Sequence, residues 1–433
     1  MYSLPLAFIE QMQRQLGPAL PDFLHTYDLP YYRGIRMRPG LNKAEDALQP
    51  VPWAENAFYL PLDSQAGALP QHEAGAYYLQ EPSAMTAAAV LCPEKGDVVL
   101  DLCAAPGGKS TQLAAYMAGD GLLVCNEPVP GRAQILSRNL ERMGVTNALV
   151  TCALPEQLSP RFPGYFDKIL VDAPCSGEGM FRKHPEARLE WQPTSPEGCA
   201  ERQLHILSHA AQMLKGGGKL VYSTCTFNDV ENEGVVQSFL HTHPDFFLQP
   251  FTLTGLPENN GTLHLYPHEI AGEGHFVACF IKEEMPAKKL NEKPLLQPMA
   301  RQELAIAASF LKDHLPSPPN VSGIFAGHTV YFPDIPLPDL KGLRILRAGL
   351  QLGDIKGKFF QPDHALSLAC PAHAVHSISF EEARLYQNGQ VLPCPDTLSG
   401  WLCPTLDGLQ LGWGKASQGQ IKNHYPKGLR KPL

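Results

Sequence analysis

Residues 97–110, DVVLDLCAAPGGKS, join an apolar run to a loop of small residues. The run 98–102 is rich in Val and Leu, which is typical of a buried strand. Gly107 and Gly108 allow the backbone of the loop to approach a ligand closely. The helix predicted to start at Ser110 presents free backbone N–H groups to a carboxylate or phosphate. A strand, a small-residue loop and a helix in this order indicate the first unit of an α/β sheet.

Strand-like and helix-like segments alternate along the chain after this first unit. Further strand-like runs lie at residues 122–126, 148–152, 168–171, 219–222 and 276–281. Helix-like segments lie at residues 110–117, 131–143, 200–214 and 229–240. We expect the three glycines at 216–218 to end the third of these helices. The alternation predicts a parallel, doubly wound α/β sheet that binds its ligands at the carboxyl ends of the strands.

Two cysteines stand directly after two of the predicted strands. Cys175 lies in DAPCSG, residues 172–177, and Cys225 lies in STCT, residues 223–226. Because the carboxyl ends of parallel strands meet at one edge of a sheet, we expect both thiols to share a crevice with the glycine-rich loop. A single cysteine is most often inert packing. Two thiols beside a ligand-binding loop indicate covalent catalysis, with either cysteine as the nucleophile.

Methylation of a pyrimidine carbon is a reaction that uses two thiols. Carbon 5 of cytosine is a poor nucleophile, and a thiolate that adds to carbon 6 pushes electron density onto it. The adduct resolves by loss of the carbon 5 proton and expulsion of the thiol, which a second cysteine assists. Asp172 is placed to bind the amino edge and ring nitrogen of the base, and Lys109 to neutralise nearby charge. We expect local positive charge to lower the pKa of the attacking thiol.

A carboxylate follows the second strand, at Glu127. An acid in this position either accepts both ribose hydroxyls of an adenosine-containing cofactor or is simply solvated. The main alternative for the loop is a nucleotide-hydrolysing P-loop, whose last three positions match Gly108, Lys109 and Ser110. That motif requires a further glycine at the position where this chain has Cys103. ATP binding would test the P-loop alternative.

Several motifs resemble those of the S-adenosylmethionine-dependent RNA cytosine-5 methyltransferases of the Nol/Nop/Sun type. They are DLCAAPGGK at 101–109, DAPCSG at 172–177, EGMFRK at 178–183, STCT at 223–226 and YLQEP at 78–82. The resemblance covers the region from residue 75 to residue 282. It implies a Rossmann-like class I fold with S-adenosyl-L-methionine as the cofactor. It also implies that Cys225 is the nucleophile and that Cys175 promotes product release.

The resemblance further implies which residues bind the cofactor, and it keeps Asp172 and Lys109 in the active site. The cofactor-binding residues that we infer are Cys103, Ala104, Ala105, Pro106, Gly107, Gly108, Lys109, Glu127, Arg132 and Asp172. One position departs from the family. Its members carry an acid or amide near the end of the third strand, whereas this chain has TCAL at residues 151–154. Adenine recognition is then left to backbone groups or to Glu156.

From Gly408 to its end the chain contains no acidic residue. Two segments of this tail, LGWGK at 411–415 and KNHYPKGLR at 422–430, resemble the PUA-like RNA-binding domain of the bacterial RsmF subgroup, which methylates 16S ribosomal RNA. Basic and aromatic side chains together suit RNA backbones and unstacked bases. The RNA-binding residues that we infer are Arg182, Lys183, Lys415, Lys422, His424, Tyr425, Lys427 and Arg430.

Two further features of the C-terminal region bear on RNA binding. A second basic run contains Lys341, Arg344, Arg347, Lys356 and Lys358. The C-terminal region also contains Trp401 and Trp413, which either stack on bases or fill the core of a small barrel. The two basic runs together indicate that the positive surface is concentrated in this part of the chain.

The bulk composition limits the classes of function. The chain has 433 residues, of which 44% are hydrophobic and 18% charged, and a net charge of −8. An acidic balance argues against indiscriminate nucleic-acid binding, so a positive surface must be local. We find no apolar run long enough for a membrane helix and no signal peptide. The eleven cysteines include no Cys-x-x-Cys pair, so we expect no disulfide framework, no zinc site and a reducing cytosol.

We divide the chain into an N-terminal α/β accessory domain (1–75), a catalytic domain (76–283), a linker (284–300) and a C-terminal RNA-binding region (301–433). The expected activity is methyl transfer to carbon 5 of cytosine in 16S ribosomal RNA, within the small subunit or its precursor. We expect a cytoplasmic monomer that binds no metal and no membrane. Two alternatives stay open: the same reaction on transfer RNA or 23S ribosomal RNA, and a non-catalytic RNA-binding ribosome-assembly factor.

Overall fold

The computed structural model describes residues 3–41, 48–286, 290–325, 327, 329–333 and 335–432. In this part of the chain, no helix is both long and apolar enough to cross a membrane. The N-terminal elements are α1 (Leu6–Leu16), α2 (Leu20–His25), β1 (Gly34–Met37), β2 (Ala57–Tyr59), α3 (Pro70–Glu73) and β3 (Tyr77–Leu79). The three strands form an antiparallel sheet in the order β2-β1-β3. This is the small N-terminal α/β unit that the sequence predicts.

Aromatic side chains attach helices α1 and α2 to the catalytic part of the chain. Phe8 and Phe23 are fully buried in one cluster with Phe181 and Trp191. The rings of Phe8 and Phe181 meet edge to face, with centroids 5.1 Å apart. Such a pair contributes roughly 1 kcal/mol beyond the burial of its apolar area. The N-terminal helices therefore pack beside the segment that follows Cys175.

The centre of the molecule is a nine-stranded mixed sheet. Eight of its strands are β4 (Val98–Asp101), β5 (Leu122–Asn126), β6 (Ala148–Cys152), β7 (Phe166–Asp172), β8 (Leu214–Thr224), β9 (Phe246–Leu248), β10 (Thr262–Leu265) and β11 (His275–Lys282). The helices of this part are α4 (Thr86–Leu91), α5 (Gly108–Met117), α6 (Pro130–Arg142), α7 (Pro155–Leu158), α8 (Ala187–Glu190), α9 (Ser195–Met213) and α10 (Glu233–Thr242). Five strands run parallel in the order β6-β5-β4-β7-β8. The predicted doubly wound sheet is thereby confirmed.

Strand β4 shows how the sheet separates two apolar cores. Successive side chains of a strand point to opposite faces of the sheet. Val99 therefore packs on one face with Leu113 and Leu136, whereas Leu100 packs on the other with Leu207. All five side chains are fully buried, and burial of each contributes roughly 2 kcal/mol. This packing on both faces fixes the carboxyl ends of the parallel strands.

Strand β8 differs from its predicted bounds. It begins at Leu214 and contains the three glycines at 216–218, which we expected to end the preceding helix. That helix, α9, already ends at Met213. A Cβ on the first of the three glycines would overlap the backbone of Met285. The glycines therefore make room for a neighbouring segment of chain beside the strand, and they do not stop the helix.

The C-terminal region forms two further sheets. Its helices are α11 (Arg301–His314), α12 (His364–Ala369) and α13 (Phe380–Asn388). Its strands are β12 (Gly323–Ile324), β13 (Thr329–Phe332), β14 (Arg344–Ala348), β15 (Leu350–Lys356), β16 (Phe359–Pro362), β17 (Val375–Ser377), β18 (Leu392–Pro393), β19 (Gly400–Leu406), β20 (Leu409–Gln410), β21 (Gly414–Ser417) and β22 (Gln420–Asn423). One sheet has the order β12-β13-β15-β16, and the other has the order β17-β19-β21-β22-β18, with β20 beside β19.

One strand of the C-terminal region completes the central sheet. Strand β14 runs antiparallel to β6, with Arg344 opposite Cys152. Arg347 of the same strand forms an ion pair with Glu141 at 3.3 Å, so this predicted member of the basic surface is buried. Leu296, within the predicted linker, is buried in the main core. The domain boundaries stay predictions, but the C-terminal region and the catalytic sheet share one core.

Candidate active site

The glycine-rich loop runs from the end of β4 into the first turn of α5. It holds the predicted cofactor-binding residues Cys103, Ala104, Ala105, Pro106, Gly107 and Gly108. Gly107 has a φ of +113°, a conformation that residues with a side chain rarely adopt. A Cβ on Gly108 would lie 3.3 Å from the ring of Tyr78. Gly107 therefore permits the sharp turn that brings the start of α5 to the carboxyl edge of the sheet, and Gly108 leaves room for the ring of Tyr78.

Asp101 ends β4 and is completely buried. Its Oδ2 accepts a hydrogen bond from the hydroxyl of Ser110 at 2.6 Å. Burial raises the pKa of Asp101 to about 7, against the lowering effect of this hydrogen bond. Its Oδ1 has no hydrogen-bond partner among the described residues. An unpaired, buried oxygen at the carboxyl edge of the sheet is a position where the donor group of a ligand would be stabilised.

Glu127 follows β5, and its neighbours hold its side chain in a fixed position. Its Oε1 accepts a hydrogen bond from the N–H of Val129 at 3.0 Å, and its Oε2 lies 3.4 Å from Nη1 of Arg132. Arg132 also donates to the carbonyl of Ala105 at 3.1 Å. The structure therefore brings Glu127 and Arg132 beside the glycine-rich loop, on one side of the crevice.

Asn126, the last residue of β5, fixes the end of β6. Its Oδ1 accepts a hydrogen bond from the N–H of Ala153 at 3.2 Å, and its Nδ2 donates to the carbonyl of Ala153 at 2.9 Å. The N–H of Leu154 donates to the side chain of Gln157 at 2.8 Å. Backbone groups here are one of the two predicted sources of adenine recognition, and both N–H groups are already bonded. No motif in the sequence predicts that Asn126 holds the backbone of Ala153 in place.

Glu156, the other predicted source of adenine recognition, is exposed on α7. It lies beside His205 and His209 of α9, and one ligand atom from each residue lies within 4.8 Å of the other two. The Nδ1 of His209 lies 2.8 Å from the hydroxyl of Ser159. Sequence spacing does not reveal this trio because two separate helices contribute to it. That the chain binds no metal stays a prediction.

Cys175 and Cys225 meet beyond the ends of β7 and β8. Their sulfur atoms lie 3.3 Å apart, which is within hydrogen-bonding distance for a thiol. This hydrogen bond, burial and the negative charge of Glu231 raise the pKa of Cys175 well above its ordinary value. The raised pKa favours the protonated form of Cys175, and either sulfur can donate in the hydrogen bond between the two. The two thiols differ in their surroundings, because the negative charge of Glu231 acts on Cys175.

Asp172 ends β7, accepts hydrogen bonds from two side chains and lies near a third. Its Oδ2 accepts a hydrogen bond from Nζ of Lys109 at 2.8 Å, and its Oδ1 accepts one from the hydroxyl of Ser223 at 2.8 Å. The Nε2 of His275 lies 3.7 Å from Oδ1. Burial raises the pKa of Asp172, but Lys109 and His275 outweigh this effect and hold that pKa well below its ordinary value. Asp172 is therefore an ionised carboxylate at neutral pH.

His275 opens β11 and is buried beside Asp172. Burial and the positive charge of Lys109 lower the pKa of His275, so its ring is neutral near pH 7. Its Nε2 has no hydrogen-bond partner in the part of the chain that the structure describes. The sequence analysis missed this residue because it directly precedes an apolar run without any motif, and only the antiparallel pairing of β11 with β8 brings it to the crevice.

Glu231 holds the turn that follows the Pro-Cys dipeptide. Its Oε2 accepts hydrogen bonds from the N–H of Ser176 at 3.0 Å and from Gln203 at 2.7 Å, and its Oε1 accepts one from Asn228 at 2.8 Å. The carboxylate is fully buried, so these donors take the place of water around it. Helix α10 begins at Glu233, later than expected, because the preceding residues fold back to make these contacts.

Four family models match consecutive parts of the chain. The model of 16S rRNA methyltransferase RsmB/F matches residues 88–281, and that of the N-terminal domain of 16S rRNA methyltransferase RsmF matches residues 4–82. The model of the RsmF rRNA methyltransferase first C-terminal domain matches residues 309–370. The model of the methyltransferase RsmF PUA domain matches residues 374–431.

Curated relatives align with nearly the whole chain. Ribosomal RNA small subunit methyltransferase F of Erwinia tasmaniensis is 32% identical over 98% of this chain and 96% of the relative. Its counterpart from Vibrio parahaemolyticus is 33% identical over 98% of this chain and 97% of the relative. The chain belongs to the RsmF family of 16S rRNA methyltransferases. The predicted combination of a Rossmann-like methyltransferase domain, an N-terminal domain and a C-terminal PUA domain is confirmed.

Solved structures share the fold of this RsmF-family methyltransferase. A methyltransferase homolog protein from Pyrococcus horikoshii is 28% identical, with a TM-score of 0.55 over 64% of this chain and 94% of that chain. NSun6 from Pyrococcus horikoshii with SFG is 20% identical, with a TM-score of 0.55 over 66% of this chain and 100% of that chain. The second likeness shows the fold alone.

Most of the predicted RNA-binding cations of this RsmF-family methyltransferase are exposed. The exposed residues are Lys183, Lys415, Lys422, Lys427 and Arg430. Lys415 and Lys422 lie opposite each other on strands β21 and β22. His424 is half-buried, and its ring centroid lies 4.4 Å from that of Trp401. Lys183 lies apart from the others in the sequence, in the segment that follows Cys175.

Two predicted RNA-binding residues are instead buried. Arg182 forms an ion pair with Glu273, and only 6% of its side chain is exposed. This pairing is needed because an unpaired charge inside a protein is costly. Tyr425 is 2% exposed and packs in the core of the PUA domain. Trp413 is fully buried as well, whereas Trp401 is half-buried and reaches the surface.

Proposed function

We propose that this RsmF-family methyltransferase transfers a methyl group from S-adenosyl-L-methionine to carbon 5 of a cytosine in 16S ribosomal RNA. The observation that carries the proposal is the 3.3 Å contact between the sulfurs of Cys175 and Cys225, beside the ion pair of Asp172 with Lys109. The names of the relatives, small subunit methyltransferase F, support 16S ribosomal RNA as the substrate.

The residues at the carboxyl edge of the sheet fit S-adenosylmethionine. The buried carboxylate of Glu127 suits the two ribose hydroxyls, and the start of α5 with its glycine-rich loop suits a carboxylate. The unpaired Oδ1 of Asp101 offers an acceptor to a further donor group of the ligand. When bound, the cofactor supplies an electrophilic methyl group. The N–H groups of Ala153 and Leu154 already donate hydrogen bonds to side chains, so no residue is assigned to the recognition of the adenine.

The two thiols have separate roles in covalent catalysis. Cys225 adds as a thiolate to carbon 6 of the cytosine, and the electron pair of the ring double bond becomes available at carbon 5, which takes the methyl group. Loss of the carbon 5 proton then restores the double bond as the bond between carbon 6 and sulfur breaks. Because Cys175 keeps its proton, it donates a hydrogen bond to the departing sulfur of Cys225 and favours release.

Asp172 orients and activates the base. As a carboxylate it accepts hydrogen bonds from the cytosine amino group and, in the adduct, from the protonated ring nitrogen. Lys109 keeps Asp172 ionised, while Ser223 holds one of its oxygens in place. The base must leave its stack to reach Cys225, so we expect the target to lie in single-stranded or easily opened RNA.

We also propose that the enzyme acts in the cytoplasm as a monomer. All eleven cysteines are free, which suits a reducing compartment. The crevice takes its catalytic and cofactor residues from a single chain, so a second copy is not needed to complete it.

Labelled methyl transfer to purified small ribosomal subunits tests the proposed function. The Cys225→Ala variant should transfer no methyl and form no adduct, because it lacks the nucleophile. The Cys175→Ala variant should accumulate a protein–RNA adduct that survives denaturation, because release is impaired. Cys394→Ala removes another half-buried free thiol, far along the chain from the crevice residues, and should behave as the wild type.

Other substrates separate the remaining alternatives. Transfer to large subunits or to transfer RNA, but not to small subunits, would change the substrate and keep the chemistry. No transfer by the wild type to any of these RNAs, together with retained RNA binding, would make a ribosome-assembly factor the better explanation. An adduct that forms in Cys225→Ala and not in Cys175→Ala would exchange the roles of the two thiols.

A further inference from the structure

A groove of about 790 Å³ lies in the C-terminal region and shares no lining residue with the catalytic crevice. Its walls are helix α11, the hairpin of β15 and β16, and two side chains of the PUA domain. The lining residues that matter here are Lys356, Lys358, Phe359, Trp401 and Lys415. We call it the hairpin groove. It joins residues from the two basic runs that the sequence separates.

The hairpin presents a ring and two cations at its tip. Gly357 and Lys358 form the two-residue connection, and Gly357 has a φ of +63°, which suits a tight hairpin turn. Lys356 and Lys358 are exposed, and Phe359 is 77% exposed. The next residue, Phe360, is buried in the core, because alternate side chains of a strand point to opposite faces. The ring of Phe359 is thus left on the solvent side.

The PUA domain supplies the opposite wall of the hairpin groove. Trp401 and Lys415 lie directly opposite each other on β19 and β21, and Nζ of Lys415 lies 5.7 Å from the centroid of the Trp401 ring. Burial, together with the charges of Lys415 and Lys356, lowers the pKa of His424, which touches Trp401. Cations from the hairpin and from the PUA domain therefore converge on one place.

Charge and aromatic character together select the class of ligand. The hairpin groove contains three lysines and one acidic residue, Asp313, so it attracts anions. An exposed ring such as Phe359 beside lysines offers a stacking surface to a base and counter-charges to its phosphates. An apolar peptide would use the ring but would leave Lys356, Lys358 and Lys415 without partners.

We infer that the hairpin groove binds a single-stranded segment of the RNA substrate, stacking a base on Phe359 and pairing phosphates with Lys356, Lys358 and Lys415. This inference rests on the proposed function, since it names a part of the RNA interface outside the active site. The groove shares no lining residue with the crevice that holds Cys225. It therefore adds affinity for the substrate and does not take part in methyl transfer.

Binding of the full-length protein to a short, unstructured, fluorescently labelled RNA tests the inference, with anisotropy measured in the absence of cofactor. Phe359→Ala should weaken binding about 5- to 30-fold, because it removes a stacked base contact. Phe359→Trp should restore wild-type affinity, because it replaces one ring with another. Phe247→Ala, which removes a different exposed phenyl ring on β9, is the matched control and should leave the affinity unchanged.

The charge of the groove is tested separately. The double variant Lys356→Glu, Lys358→Glu should bind RNA more weakly. The slope of the logarithm of its RNA-binding constant against the logarithm of the salt concentration should also be shallower by about 0.7 for each lost phosphate contact. Lys95→Glu reverses an exposed charge in the catalytic part of the chain and serves as the control. Unchanged thermal unfolding of each variant would show that the fold is intact.

The outcomes distinguish this inference from the proposed function. Wild-type affinity in both Phe359→Ala and the double lysine variant would overturn the inference, even if methyl transfer is observed. Equal losses in Phe359→Ala and Phe359→Trp would also overturn it, because stacking would not be the cause. Selective weakening by Phe359→Ala, rescued by Phe359→Trp, would support the groove even if the wild type transfers no methyl to ribosomal RNA.

Discussion

The catalytic crevice and the hairpin groove differ in how their polar groups are held. In the crevice, Glu231 is fully buried and accepts hydrogen bonds from Gln203 and Asn228 at 2.7 and 2.8 Å. In the groove, Lys358 and Phe359 stand exposed on a turn. A bond-making step requires fixed distances, whereas attraction to a phosphate tolerates movement of a long side chain. Substitutions in the crevice should therefore lower the rate of methyl transfer strongly. Substitutions in the groove should lower the affinity for RNA moderately and in a salt-dependent way.

Among substitutions that remove one charge, the largest loss in the rate of methyl transfer is expected at Asp172. Asp172→Asn should lower the rate of methyl transfer about 1000-fold, because the amide no longer stabilises the protonated ring nitrogen of the adduct. The affinity for RNA should stay unchanged, since the groove is intact. Single-turnover methyl transfer and anisotropy measure the two quantities, with Asp407→Asn, at an exposed turn, as control. A parallel loss of affinity and rate would remove the distinction between the two regions.

An intermediate effect is expected at Glu231. Glu231→Gln keeps the shape of the side chain but turns an amide donor toward converging donors, including the N–H of Ser176. We expect roughly 10- to 100-fold slower methyl transfer and a loss of about 2 kcal/mol in the free energy of unfolding. Urea unfolding and methyl transfer provide the measurements, and Glu381→Gln, on the exposed face of α13, is the control. Full activity would show that Glu231 does not position the turn of Cys175.

The smallest effects are expected from pH, with opposite signs at two buried groups, Asp101 and His364. Burial raises the pKa of Asp101 in the crevice to about 7 and lowers that of His364 in the C-terminal region to about 4. On acidification below pH 7, folded Asp101 gains a proton before the unfolded chain does, which increases stability. Unfolded His364 gains a proton below its ordinary pKa of about 6.5 while the folded ring stays neutral, which decreases stability.

Variants at these two positions separate the contributions. Between about pH 7.5 and about pH 5.5, Asp101→Asn should abolish a gain of about 2 kcal/mol, and His364→Gln should abolish a loss of about 1 kcal/mol. Urea unfolding of each variant and the wild type at both pH values gives the comparison. If the free energy of unfolding depends on pH in the same way in all three proteins, burial does not shift the pKa values of Asp101 and His364 as stated.

Local pattern suffices for the features that depend on neighbours in sequence. The parallel strands are predicted because each is a short apolar run between turn signals. The crevice is predicted because the loop at 103–108, Cys175 and Cys225 each follow such a run, and parallel strands end at one edge. The environment of Cys175 is not predicted locally, since its raised pKa comes from its contact with Cys225, from burial and from the charge of Glu231.

The burial and the partners that sequence pattern does not predict come from contacts between distant parts of the chain. Arg182 looks like an RNA-binding cation until the fold supplies Glu273 as its partner. Tyr425 belongs to a basic, aromatic segment, yet its ring packs in the apolar core beside Tyr386. His275 and Glu231 gain importance only from residues that fold against them. Sequence pattern reports which side chains are present, and tertiary structure decides which of them water can reach.

The pairing of β14 with β6 has a consequence for how the chain can be divided. A strand at the edge of a sheet with no neighbour is a template for self-association. Removing residues 301–433 would uncover the whole length of β6, so the shortened protein should be prone to aggregation even with every catalytic residue present. The C-terminal region thus covers an edge of the catalytic sheet that would otherwise lie open.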